Sequence, residues 1–261
     1  MTEYETLDLS IDARGVARLT LDRADKRNAL SGAMIAELTS VAARLGAMDN
    51  VRAVILAAAG PVFCAGGDLN WMKAQIEADR AGRMKEARRL AHMLRALNEM
   101  PKPLIGRVHG DAFGGGVGMM CVCDVAVAAT GTRFALTETR LGLIPATIGP
   151  YVVARLGEGQ ARRIFMSSRV FDAEEARDLG LVAETVAPDE LDAAIERHVA
   201  PYLSVAPGAV GRAKALARSL GPRIDDAAIE DTIGRLADAW ETDEAAEGIS
   251  AFLEKRRPRW A

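Results

Sequence analysis

Two glycine runs and one glutamate are the residues of this chain best suited to chemistry. Ala65-Gly66-Gly67-Asp68 follows the apolar stretch VRAVILAAAG, and Gly114-Gly115-Gly116 follows PLIGRVHG. Each run precedes residues that read as a helix. A helix start leaves backbone N–H groups unpaired and gathers positive partial charge. Glycine lets a second group come close to the backbone. Two such donors from separate loops could hold one oxygen that turns negative during reaction, an oxyanion hole. Glu138, in LTETRLGLIP, stands between threonines, after one apolar stretch and before another. Partial burial there would push its pKa upward, into the range useful for acid–base work.

Other motifs are absent or weak. There is no H-E-x-x-H, G-x-S-x-G or Walker A pattern, and the second run reads G-G-G-x-G rather than G-x-G-x-x-G. The histidines, His92, His109 and His198, are scattered, so no metal site is expected. His109, beside the second glycine run, is a candidate either for a direct role or for a structural one. Cys64, Cys121 and Cys123 lack disulfide or zinc spacing and read as small buried residues of a reducing compartment.

The elements that must position these residues can be read from periodicity. YETLDLSID and GVARLTLD alternate around Ala13-Arg14-Gly15, which predicts a hairpin. Ser31 is a plausible N-cap for a helix over about 32–47, with Ile35, Leu38, Val41, Ala42 and Leu45 on its apolar face. VRAVILAAAG, PLIGRVHG and DVAVAAT read as strands buried on both faces. Residues 79–99 form a charged helix ended by Pro101 and Pro103. The repeat of strand, glycine loop, helix and strand predicts an α/β layered fold. A core over 1–200 is expected, followed by a helical region over 201–261. There Ile229, Ile233, Leu236 and Trp240 form a stripe that packs on the chain's own core or on a second subunit.

Composition sets limits. The 261 residues carry a net charge of −3, with 49% hydrophobic and 26% charged residues, as in a globular protein with an ample core. That charge argues against phosphate-driven nucleic-acid binding. No signal-peptide core is visible, and no apolar run reaches the ~20 residues of a membrane helix. A cytoplasmic location and no membrane partner are expected.

Six ordered segments resemble the crotonase, or enoyl-CoA hydratase/isomerase, superfamily: DKRNALS, VILAAAGPVFCAGGDL, KPLIGRVHGDAFGGGVGMMCVCDVAVAA, FALTETRLGLIP, SSRVFDAEEARDLGLVAETV and AFLEKRRP. The resemblance implies an α/β spiral of β-β-α turns with a C-terminal helical trimerisation region, assembled as a homotrimer or a hexamer of paired trimers. It implies a coenzyme A thioester substrate with no metal or redox cofactor, coenzyme A being part of the substrate. The N–H groups of Gly67 and Gly115 would hold the thioester oxygen, and Glu138 would be the acid–base residue. Ala65, Gly66, Asp68 and Leu69 would line the thioester end. Lys26 and Arg27 would lie near coenzyme A. Phe252 and Lys255 match positions that in relatives reach across a subunit interface toward the adenine and its phosphate.

Two departures bear on the reaction. Two-glutamate hydratases carry their first glutamate where this chain has Gly118, so Glu138 stands alone, and Gly118 is expected to widen the room for substrate or water. Ala146-Thr147-Ile148-Gly149-Pro150-Tyr151 replaces a glycine-rich stretch with a Thr-Gln pair. With GGGVG, it resembles bacterial 3-methylglutaconyl-CoA and isohexenylglutaconyl-CoA hydratases. Such substrates carry a second carboxylate, for which Arg140 and Arg155 are candidate partners. His109, Asp68 and Tyr151 are candidates to replace the missing acid. The expected function is hydration of a branched or carboxylated enoyl-CoA. Alternatives are a Δ3,Δ2-enoyl-CoA isomerase and a non-catalytic acyl-CoA or RNA-binding member.

Overall fold

The computed structural model describes residues 4–261. The chain winds strands of a large sheet, short strands of a second ladder, and helices into successive layers. The opening hairpin pairs β1 (Leu7–Ile11) with β2 (Val16–Leu21), antiparallel. Asp12 sets its turn by accepting from the N–H groups of Arg14 and Val16 at 2.8 and 3.0 Å. Helix α1 (Gly32–Ala47) begins where Ser31 predicts, with the Ser31 hydroxyl accepting from Met34 N.

Strand β3 (Ala53–Ala58) and helices α2 (Leu69–Glu77) and α3 (Arg80–Glu99) follow. After them come β4 (Leu104–Val108), β5 (Ala112–Phe113), α4 (Gly115–Cys121), β6 (Val125–Ala129) and β7 (Arg133–Ala135). Helices α5 (Gly149–Leu156) and α6 (Glu158–Phe165), strand β8 (Phe171–Asp172), helix α7 (Ala173–Asp178), strand β9 (Glu184–Val186) and helix α8 (Leu191–Val199) complete the layered part.

The six-stranded sheet has the order β1-β2-β3-β4-β6-β9, parallel from β2 onward. Its alternate residues face opposite ways. Val16, Ala53, Ile55, Ile105 and Val127 meet Leu191, Ala194, Ile195 and Val199 of α8. Leu19, Val54, Leu56, Leu104 and Ala126 meet α1, α3 and α4. Burial on both faces accounts for the continuous apolar runs in these strands.

The second ladder positions the chemistry. β5 pairs with β7 in parallel and β7 with β8 antiparallel. Isolated bridges join Cys64 to Ala112 and Leu30 to Gly67. The early loop, both glycine runs and the Glu138 segment therefore lie side by side.

Asn28 locks this arrangement, a role invisible in the sequence. It is fully buried, at φ +52°. Its Nδ2 donates to the carbonyls of Ala59 and Val62 at 2.7 and 2.8 Å, and its Oδ1 accepts from Arg23 N. Asn28→Ala strands those buried groups in a backbone conformation alanine disfavours. It is expected to cost about 2–4 kcal/mol, measured by denaturant unfolding.

The C-terminal region comprises α9 (Pro207–Leu220), α10 (Asp226–Trp240) and α11 (Asp243–Leu253). The α10 stripe packs within its own chain. Ile229 and Ile233 meet Ala87 and Ala91 of α3, while Leu236 and Trp240 join Leu143, Ala245 and Ile249. Helix α11 thereby rests on the turn that carries Glu138. Helix α9 leaves an apolar face open, with Leu216 and Leu220 61% and 80% exposed.

Candidate active site

The first glycine run is held from two sides. Ala65 N donates to Arg27 O, Leu30 N to Gly66 O, and Asp68 N to Leu30 O. Gly67 N–H is left without an acceptor among the described residues. Helix α2 starts only at Leu69, because Asp68 is its N-cap and accepts from Asn70 N and Trp71 N at 2.8 and 3.2 Å. The positive end of α2 thus faces Asp68 rather than the Gly67 donor. The other Asp68 oxygen takes Arg23 Nη2 at 3.1 Å. Bonded on both oxygens, Asp68 acts in the fold and does not supply a free second carboxylate. Leu69 is exposed.

The second run shows why three glycines occur together. Gly114 has φ +48° and ψ −114°, a conformation foreign to other residues. A Cβ on Gly116 would stand 2.5 Å from Cys64 O, so the backbones of the two runs touch there. Gly115 opens α4, and its N–H has no acceptor among the described residues. A Cβ placed on Gly66 would lie 3.9 Å from Gly115 N, which brings the two runs to one spot. The unpaired donors therefore come from neighbouring loops, and only the second sits on a helix start.

Glu138 completes the group. It opens a short 3-10 turn, Glu138–Leu141, after β7. A Cβ on Gly114 would lie 3.2 Å from Glu138 Oε1, so the carboxylate abuts the second run. Its Oε2 is buried with no hydrogen-bond partner among the described residues. Burial pushes the carboxyl up to about 7, against the pull of its own N–H and that of Thr137. A buried, partnerless carboxylate oxygen beside two free N–H donors suits proton transfer to a group whose oxygen those donors hold.

Ser168, absent from the sequence reading, anchors this turn. It is 3% exposed at φ +48°. Its hydroxyl pairs with Thr139 Oγ1 at 2.7 Å and accepts from Arg140 N at 3.1 Å. Ser168→Ala frees the turn, and about a tenfold loss of kcat with little change in KM is expected from steady-state kinetics.

Gly118 does not widen the site. A Cβ there would lie 2.4 Å from Ile148 Cγ2, because the buried Ile148 side chain fills the space. Tyr151 is buried elsewhere, its hydroxyl directed at Ala91 O of α3. His109 Nε2 lies 2.6 Å from Gly60 O, a structural link. Arg155 reaches the carbonyls of Cys121 and Asp124, at the end of α4 remote from Gly115, and is not brought to Glu138. Arg140 is exposed two residues after Glu138, with one guanidinium nitrogen on Ser168 O. Lys26 and Arg27 are exposed on the early loop, and Phe252 and Lys255 at the end of α11. The three thiols are buried and pushed up to about 12, which leaves them unreactive at neutral pH. Trp71 and Met72, also unremarked in the sequence, flank Gly67 at 3.7 and 3.6 Å from its Cβ position and offer an apolar wall.

A family model described as enoyl-CoA hydratase/isomerase matches residues 12–261. The mitochondrial methylglutaconyl-CoA hydratase of Mus musculus is 31% identical over 267 residues, covering 99% of this chain and 83% of that protein. Among solved structures, an enoyl-CoA hydratase from Mycobacterium avium matches with a TM-score of 0.85 and 33% identity, over 99% of this chain and 100% of that one. Pseudomonas aeruginosa AtuE matches with a TM-score of 0.78 and 38% identity, over 98% of this chain and 100% of that one.

Proposed function

This chain belongs to the enoyl-CoA hydratase/isomerase family, and we propose that it adds water across the 2,3-double bond of a branched or carboxylated enoyl-CoA. The observation that carries the proposal is Glu138, with a buried and partnerless oxygen beside the free N–H groups of Gly67 and Gly115. The thioester oxygen accepts from those two donors. Glu138 takes a proton from water as the water oxygen bonds to C3. The electrons of the double bond move onto the thioester oxygen, forming an enolate. The enolate collapses, and C2 receives the proton that Glu138 holds. The two N–H groups bind the enolate more strongly than the neutral thioester, and the difference lowers the barrier.

The exposed Lys26 and Arg27 lie on the loop bonded to the first glycine run, a suitable place for the coenzyme A phosphates. Phe252 and Lys255 remain candidates for its adenine end. Arg140 is the candidate partner for a substrate carboxylate. The protein is expected to convert 3-methylglutaconyl-CoA with a higher kcat/KM than 3-methylcrotonyl-CoA, and Arg140→Ala is expected to remove that preference. Equal use of both thioesters by the unaltered enzyme would refute the carboxylated substrate.

The lone carboxylate also favours a second reading. A single glutamate can carry a proton from C2 to C4 of a 3-enoyl-CoA without water, as a Δ3,Δ2-enoyl-CoA isomerase does. The same proposal places the protein in the cytoplasm, without a resident cofactor, as a homotrimer or paired trimers joined through α9. A monomeric mass for the unaltered protein by light scattering would refute that assembly.

A further inference from the structure

The residues flanking Glu138 contain no second acid, and the structure shows what stands in that place. Helix α4 reads Gly-Gly-Val-Gly-Met-Met-Cys, with nothing that titrates near neutrality. Gly118 lies one turn beyond Gly114, its N–H donating to Gly114 O at 3.2 Å, and Gly114 abuts the Glu138 carboxylate. Positions four apart share a helix face. A side chain at 118 would therefore project about one turn from Glu138. It would meet Ile148 Cγ2 at 2.4 Å and Ile148 Cβ at 2.9 Å. Ile148 is 2% exposed and precedes α5, which the Glu138 turn leads into. Its Cβ is too close to be relieved by rotating the side chain.

We propose that Ile148 is a specificity-determining residue, which fills the space beside Gly118 with hydrocarbon and forms the wall against which the substituent on C3 of the acyl chain packs. Gly118 and Ile148 then act as a pair. Glycine at 118 admits the isoleucine, and the isoleucine keeps any larger residue, acids included, out of 118. An aliphatic wall excludes water on that side and confines acid–base work to Glu138. It also makes recognition of the acyl chain a matter of volume. The proposal rests on the acyl-CoA reading but not on whether water is added.

Two readouts test it. The first is thermal unfolding of Gly118→Ala, Ile148→Ala and the double variant. Gly118→Ala alone is expected to lower Tm by roughly 5 °C through overpacking. In the Ile148→Ala background, where the Cγ2 contact is gone and only the Cβ contact remains, the same change is expected to lower it by clearly less. Losses that simply add would overturn the steric pairing. The second is the dissociation constants of saturated acyl-CoA esters that differ by one methylene at C3: 3-methylbutyryl-CoA and 3-methylpentanoyl-CoA. Ile148→Ala is expected to shift the ratio toward the larger ester by about tenfold. An unchanged ratio, with both esters bound, would overturn the acyl-chain role. Turnover of enoyl-CoA is scored separately. A protein that binds both esters and converts no enoyl-CoA refutes the proposed hydration alone, whereas a protein that binds neither ester refutes both.

Discussion

Glu138→Gln is expected to lower turnover of an enoyl-CoA by about 10³-fold or more, while acyl-CoA affinity stays nearly unchanged. The two effects separate because the chemistry and the grip come from different atoms. In the proposed reaction the grip comes from the N–H groups of Gly67 and Gly115, which belong to the backbone and which the substitution leaves in place. The chemistry comes from one carboxylate. Asp68 is bonded on both oxygens, Tyr151 points at α3, and Ile148 fills the space beside Gly118. General acid–base catalysis contributes about 10²–10⁴-fold, and a site with a single such group loses toward the upper end of that range. Steady-state kinetics with a binding isotherm for a saturated acyl-CoA checks both halves. Turnover within tenfold of the unaltered enzyme would remove Glu138 from the mechanism.

The same substitution is expected to stabilise the protein at alkaline pH. Burial raises the Glu138 carboxyl from an ordinary value of 4.5 to about 7. Between those values the folded protein holds a proton that the unfolded chain releases, so this group's contribution to stability is present below about pH 4.5 and lost as pH rises through 7. The loss amounts to about 3 kcal/mol by pH 8. Glutamine carries no charge to bury. The unfolding free energy of Glu138→Gln should therefore exceed that of the unaltered protein at pH 8 by about that amount, with the gap closing toward pH 4.5. Comparing the two proteins at each pH cancels the titration of every other group. In activity the ionised form is the one that accepts the first proton, so kcat/KM should fall about tenfold per pH unit below 7. A gap that does not vary with pH would mean that Glu138 is not buried as a charge.

How much of this was legible in the sequence depended on whether a signal was local. Ser31 and the apolar positions of α1 follow from hydroxyl capping and a 3.6-residue period, and both are realised. The buried strands were visible because each faces apolar layers on both sides. The glycine runs announced a close approach of backbone, and Glu138 announced itself by its apolar surroundings. What stayed hidden was the identity of partners far along the chain. Asn28 bonds to Ala59 and Val62, and Ser168 bonds to Thr139 and Arg140, so neither role has a local pattern. Gly118 looked like an opening because a sequence shows the missing side chain but not the neighbour that fills its place. Asp68 read as a substrate contact or a replacement acid, and its role as the N-cap of α2 emerges only from the backbone N–H groups it meets in the fold. The α10 stripe could have met a second subunit, and it meets α3 and α11.

The central claim is that Glu138, working with the donors on Gly67 and Gly115, adds water to an enoyl thioester. Its most direct test is the mass of the product. The purified protein is incubated separately with 3-methylglutaconyl-CoA, crotonyl-CoA and a trans-3-enoyl-CoA, and each mixture is resolved by mass spectrometry. The expected result is a gain of one water, greatest on 3-methylglutaconyl-CoA, and absent when Glu138→Gln replaces the unaltered enzyme. A trans-3-enoyl-CoA that keeps its mass while its double bond moves into conjugation, with no water gained on the other two, would contradict hydration and assign Glu138 the role of a proton shuttle.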